Sequence, residues 1–91
     1  MKNKFAEILE IIGHWSNERL INLRNYCLKF DMLTDKEVIL NSPDDFKTIY
    51  KQLIPINRSF RSQYDSLAAG IRMCTKGIID LRNEYEEYKP L

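Results

Sequence analysis

The longest regular pattern in the chain is a run of apolar side chains between residues 60 and 88. Its members follow one another at steps of four and three: Phe60, Tyr64, Leu67, Ile71, Cys74, Ile78, Leu81, Tyr85 and Tyr88. This spacing puts them all on one side of an α-helix, and we call them the C-terminal stripe. Apolar side chains in such a row avoid water, so we expect other helices to cover the whole stripe.

A second helical pattern runs over residues 4–30. Its apolar positions keep helical spacing but change register near Ser16. Gly13 could end one helix there, and Ser16 or Asn17 could cap the next. One interior glycine costs a helix only about 1 kcal/mol, however. We therefore predict one continuous helix from about residue 4 to 30, and keep the break near Ser16 as the alternative.

A capping motif follows that helix. Thr34 precedes Glu37 by three residues. In a capping box the threonine hydroxyl accepts from the backbone N–H three residues on, and the glutamate reaches back to the threonine N–H. The motif predicts a short helix over residues 35–40.

The next helix has a different start signal. Ser42 can cap it, and Pro43 fits the first helical position, where a backbone N–H is not needed. We predict this helix over residues 43–54. Pro55 must end or kink it, because proline lacks a donor and restricts the residue before it. The last long helix then covers about 57–88.

Two long and two short helices predict an all-α antiparallel helical bundle, with residues 1–91 as a single domain. The helix over 4–30 would cover the C-terminal stripe. Gly70 and Gly77 flank that stripe, and we interpret both as sites where another helix approaches closely, with a solvated face that tolerates them as the alternative. The main competing arrangement is a homodimer in which the last helix pairs with its own copy.

Composition narrows the choice of environment. The chain has 91 residues, 44% of them hydrophobic, and a net charge of +1, which gives no electrostatic signal for nucleic acid or membrane. Glu7 and Glu10 interrupt the first apolar run, so it predicts neither a signal peptide nor a membrane span. The expectation is a cytoplasmic protein in which Cys27 and Cys74 are buried, reduced thiols.

No set of residues predicts catalysis. His14 is the single histidine. With Glu10 and Glu18 it would share one face of a continuous helix, but a metal would need further ligands from elsewhere. A solvated face is the better interpretation. There is also no glycine-rich phosphate loop. We expect no enzyme activity, no cofactor and no bound metal.

Nucleic-acid binding is the alternative function. Positive charge is concentrated over residues 47–76, at Lys47, Lys51, Arg58, Arg61, Arg72 and Lys76. Against this hypothesis, Asp44 and Asp45 follow Pro43 at the start of the helix that would have to meet the nucleic acid. Carboxylates at that position repel phosphates.

Protein binding is the leading hypothesis. Tyrosine and tryptophan combine a large apolar area with a polar tip and are enriched at protein interfaces. The sequence thus predicts a small regulator, inhibitor or immunity-type factor that contacts a larger protein through helix faces. A homodimeric helical scaffold is a further alternative. The predicted contact residues are Trp15, Arg58, Arg61, Tyr85 and Tyr88.

Overall fold

The computed structural model of the chain describes residues 4–53 and 59–88, and helix is the regular secondary structure throughout those ranges. The predicted all-α class is confirmed there. The elements in chain order are α1 (Lys4–Ile12), α2 (Asn17–Leu28), a 3₁₀ turn (Phe30–Met32), α3 (Asp35–Asn41), α4 (Asp44–Leu53) and α5 (Phe60–Tyr88). The predicted break at Pro55 and the helix start at residue 57 lie outside the described residues.

The predicted continuous helix over 4–30 is wrong. The chain leaves helical geometry after Ile12 and re-enters it at Asn17. Ser16 has an extended backbone, and its hydroxyl accepts from the Arg19 N–H at 3.2 Å, so it is a true N-cap. A Cβ on Gly13 would lie 2.8 Å from the Leu9 carbonyl oxygen, a clash that only glycine avoids. The alternative that the sequence left open is the observed structure.

The short helices agree with their sequence signals except at Ser42. Both halves of the capping box between Thr34 and Glu37 are present at the start of α3. Ser42, predicted to cap the next helix, instead ends α3. Its hydroxyl donates to the Val38 carbonyl and is hydrogen bonded to the Tyr26 hydroxyl, so it ties α3 to α2.

An aromatic cluster fills one end of the core. The stacked rings of Phe30 and Tyr64 lie 5.8 Å apart, and Phe46 of α4 stacks on Tyr64 at 5.1 Å. Tyr50 stacks on the same ring at 4.2 Å and donates to Gln63 of α5. Tyr26 of α2 packs edge-on against Phe46 at 5.2 Å. The cluster therefore joins α2, the 3₁₀ turn and α4 to the beginning of α5.

The C-terminal stripe is covered along only part of its length. Leu67, Ile71 and Cys74 are buried against α1 and α2. Further along, Leu81 is 67% exposed and Tyr85 is 66% exposed, so the expectation that the whole stripe is covered is wrong. The cover itself reaches this level, since Arg82 donates to the Gly13 carbonyl and Ile79 is only 7% exposed. The physical reason is direction: at about 100° per residue, Leu81 lies about 160° around α5 from Ile79, away from the covered side.

The two glycines of α5 have different surroundings. A Cβ on Gly70 would lie 3.1 Å from Cδ1 of Ile8, so the close approach predicted there is confirmed, with α1 as the neighbour. At Gly77 an added Cβ would meet nothing within 4 Å. The predicted close packing at Gly77 is therefore wrong, and the position is exposed.

Three arginines of α5 bind backbone carbonyls of the preceding elements. Arg61 donates to the carbonyls of Leu33 and Phe30 at 2.7 and 3.2 Å. Arg72 donates to the Cys27 carbonyl at 2.8 Å, and Arg82 donates to the Gly13 carbonyl at the same distance. These carbonyls lie at or just beyond the ends of helical segments, where intrahelical donors run out. The Phe30 carbonyl also accepts from the Leu33 N–H at 3.0 Å, so Arg61 is a second donor to it. All three arginines thereby connect α5 to the backbone of the preceding elements.

Candidate functional site

The exposed end of α5 carries the largest apolar side chains that this helix presents to solvent. Met73, Leu81 and Tyr85 are each about two-thirds exposed, and Gly77 is exposed between them. The four residues are spaced four apart, so they follow one another along neighbouring turns of the helix. We call these four residues the docking face.

Carboxylates line one edge of the docking face. Asp80 and Glu84 lie three residues after Gly77 and Leu81, so each is a neighbour of the docking face on the helix surface. Glu87 follows Glu84 at a spacing of three but lies about 160° around the helix from Tyr85. We call Asp80, Glu84 and Glu87 the acidic row. All three are exposed. Within the part of the chain that the structure describes, none of their carboxylates takes part in an ion pair or a hydrogen bond.

The other edge of the docking face meets the turn between α1 and α2. Arg82 donates to the Asn17 side-chain oxygen at 2.7 Å and to the Gly13 carbonyl at 2.8 Å. Ile78, partly buried, packs against the core one turn earlier. This edge is therefore fixed by contacts within the chain, whereas the acidic edge is open.

Among the predicted contact residues whose side chains the structure describes, Tyr85 is the one that is mainly exposed to solvent. It is exposed near the end of α5, on the docking face. The side chain of Tyr88 and the whole of Arg58 lie outside what the structure describes. Their roles in binding stay predictions.

Trp15 is partly buried and one face of its indole is occupied. The guanidinium of Arg19 lies 3.5 Å from the ring centroid, within the range of a cation–π contact. Arg19 also donates two hydrogen bonds to Asp45 of α4, which hold the pKa of that carboxyl below its ordinary value. Trp15 is thus part of a cluster that connects the α1–α2 turn to α4.

Arg61 is committed to contacts within the chain. Besides the two carbonyls, its guanidinium lies 3.6 Å from Asp35, 3.4 Å from Asp65 and 4.7 Å from the Phe30 ring. Since Arg61 and Tyr85 are 24 residues apart on one helix, about 36 Å separates them. They cannot lie in the centre of the same contact patch.

The sequence analysis missed the exposure of Met73 and Leu81 on this face. Leu81 was assigned to the buried stripe from its spacing of three and four. Ile79 is the signal that could have shown the difference, since Ile71, Thr75 and Ile79 also follow at steps of four, and their burial turns the covered side of α5 away from Leu81.

The basic region over 47–76 is divided between several roles. Arg61 and Arg72 donate to carbonyls, Lys47 is partly buried, and Lys51 and Lys76 are exposed. Nucleic-acid binding stays a prediction that no observation here tests.

The remaining chemistry of the described residues is limited. Cys27 and Cys74 are free and buried, as predicted, and burial raises the pKa of the Cys27 thiol to about 12 and that of Cys74 to about 11. His14 lies in the turn after α1, so the helix face that it would share with Glu10 and Glu18 does not form. Among the described residues, no pocket and no group of potential metal ligands is found.

No described helix combines the length and the apolar composition needed to cross a membrane. Comparisons with protein-family models, with curated proteins and with solved structures give no match.

Proposed function

We propose that the protein is a small protein-binding module, a regulator or inhibitor, that contacts a larger protein through the docking face of α5. The observation that carries the proposal is the exposure of Leu81 and Tyr85 at the end of a stripe whose earlier members are buried. Two neighbouring large apolar side chains at about two-thirds exposure are unfavourable in water, and a partner surface would remove that cost.

The chemistry of the face supports binding. Tyrosine, methionine and leucine provide apolar area, and carboxylates at one edge provide the polar rim that is typical of protein interfaces. Tyr85 is the expected anchor, since tyrosine is among the residues that contribute most when an interface buries them.

The proposal includes the predicted antiparallel bundle as its scaffold. As the arginine position on α5 advances from 61 to 72 to 82, the accepting carbonyls move back from residue 33 to 27 to 13. Residue numbers rise along the arginines and fall along the carbonyls that they contact. This supports an antiparallel course of α2 and α5. In such a bundle α5 is the rigid rod, and its far end presents the docking face.

Site-specific photo-crosslinking from the docking face tests the proposal. A photoreactive phenylalanine analogue would replace Tyr85 in the full chain, expressed in the source cell. The matched control would carry it at Ser66, which is exposed on the same helix but outside the docking face. We expect a discrete adduct from position 85 that is absent from position 66.

A second variant separates binding from folding. Leu81→Ser in the Tyr85 cross-linking background should remove the adduct and leave the circular dichroism spectrum unchanged, because Leu81 is mainly solvated. Adducts of the same proteins from positions 85 and 66, or an adduct that survives Leu81→Ser, would contradict the proposal.

A further inference from the structure

The acidic row indicates which kind of surface fits beside the docking face. We propose that the occupant of this face is an amphipathic helix of a partner protein that carries lysine or arginine along one flank. The inference rests on the proposed function and specifies its partner. It stands on the juxtaposition of exposed Gly77 and Leu81 with Asp80 and Glu84, two carboxylates that the described chain leaves unpaired.

The shape of the face favours a helix. The docking face extends about 18 Å along α5 over residues 73–85 and turns about 120° around it, and no pocket indents it among the described residues. The convex surface of a helix is matched by another helix, because the ridges of side chains on one helix pack into the grooves of the other. Gly77 contributes here, because the absence of a side chain leaves room for a large apolar residue of the partner.

The charge pattern favours a basic flank. Asp80, Glu84 and Glu87 repeat at steps of four and three, so they face the same side along two turns. A partner helix with basic residues at the same spacing would place a cation opposite each carboxylate. Such pairs add modestly to affinity and strongly to the choice of partner and orientation.

A second copy of the chain fits this face less well. In an antiparallel pair centred on Leu81, Asp80 of one copy would lie beside Glu84 of the other, and symmetry repeats this contact. In a parallel two-fold pair the acidic row would instead face the opposite edge of the other copy, where Arg82 is already bonded to Asn17 and Gly13. Like charges in contact oppose the antiparallel pair, and the cation of the parallel pair has partners within its own chain. Nucleic acid is disfavoured by the same carboxylates, since they repel phosphates.

A displayed library of helical peptides tests the inference. The peptides would have apolar residues on one face and either lysine or glutamate at each flanking position, and the full-length protein would be the bait. We expect the enriched peptides to carry lysine along one flank. Binding of one enriched peptide, followed by fluorescence anisotropy, should weaken about five-fold in the Asp80→Asn, Glu84→Gln double variant.

Glu86→Gln is the matched control. Glu86 is exposed in the same turns of α5 but lies about 200° around the helix from Glu84, away from the acidic row. The Glu86→Gln substitution removes one charge on a different side of the helix from Glu84 and Leu81. Peptide affinity should therefore stay within about two-fold of the wild type.

The outcomes distinguish this inference from the proposed function. Enrichment of neutral or acidic flanks, with binding still abolished by Leu81→Ser, overturns the basic flank and leaves the docking face intact. No enrichment, or binding that is insensitive to Leu81→Ser, overturns both. A dimer in sedimentation that Leu81→Ser dissociates identifies a second copy as the occupant and also overturns the inference.

Discussion

The role of a single residue in this protein depends on which atoms lie next to it. Gly70 and Gly77 lie two turns apart on one helix with the same intrinsic cost, yet one adjoins Ile8 and the other adjoins solvent. At Gly70 the missing side chain allows α1 to approach α5. At Gly77 it has no role in the fold, which is one reason to assign it to the docking face.

Replacing each glycine by alanine should separate these two situations. Gly77→Ala should raise the free energy of unfolding by about 1 kcal/mol, because alanine is the better helix former and its Cβ meets nothing. Gly70→Ala should give a smaller gain or a loss, since its Cβ would press on Ile8 at 3.1 Å. Urea unfolding of both variants measures the difference. Equal gains would contradict the close approach at Gly70.

At the scale of elements, the ends of the helices determine how the chain is divided. Ser16 and Thr34 cap α2 and α3 through their hydroxyl groups. The arginines of α5 bind carbonyls at or beyond the other ends. Caps and arginines together satisfy backbone groups that short helices expose in a higher proportion than long ones.

Ser16→Ala should destabilise the protein by about 1 kcal/mol, because the Arg19 N–H loses its acceptor and the start of α2 loses its cap. Thermal unfolding measures the loss. Ser66→Ala, at an exposed position inside α5, is the matched control and should be neutral or slightly stabilising. If both changes had the same effect, Ser16 would not be acting as a cap.

Arg72→Met should cost about 1–2 kcal/mol, because it keeps the apolar stem but removes the charged donor to the Cys27 carbonyl. Arg82→Met, whose hydrogen bonds are exposed, should cost less. The free energy of unfolding in urea gives both values.

A second measurement supports the same assignment. The positive charge of Arg72 lowers the pKa of the Cys27 thiol against the larger, opposite effect of burial. In Arg72→Met the Cys27 thiol should therefore react still more slowly with a thiol reagent at alkaline pH. An unchanged rate would place Arg72 away from α2.

For the whole molecule, the burial of weakly acidic thiols and phenols makes the free energy of unfolding depend on pH in the alkaline range. Burial raises the pKa of the Cys27 thiol from 9.0 to about 12 and of the Cys74 thiol to about 11. Burial also raises the pKa of the Tyr26, Tyr50 and Tyr64 hydroxyls above their ordinary value. The unfolded chain gives up these protons at lower pH than the folded protein does.

Stability should therefore be full below about pH 9 and fall as pH rises toward the raised values, because deprotonation favours the unfolded chain. Urea midpoints measured at intervals from neutral to strongly alkaline pH test this. Cys27→Ala should flatten part of the decline, although its cavity lowers stability at every pH. A midpoint that stays constant through this range would contradict the burial of these groups.

The sequence by itself determined the all-α class, the capping box at Thr34 and the burial of both thiols. These features depend on helical periodicity and on hydrogen bonds between residues three or four apart, which can be read directly from neighbouring letters. The candidate Tyr85 also came from the sequence, through its residue type.

The tertiary structure decided the break after Ile12, the role of Ser42, the different surroundings of the two glycines and the exposure of Leu81. The break after Ile12 is local, at Gly13 and the Ser16 cap, and the structure chose between two interpretations that the sequence left open. The other features depend on which element lies opposite, and periodicity does not specify that. A stripe shows that a helix has an apolar side, whereas the packed elements decide which part of that side is covered. Here α1, α2 and the turn between them cover the side of Ile79, and the uncovered side with Leu81 became the candidate site.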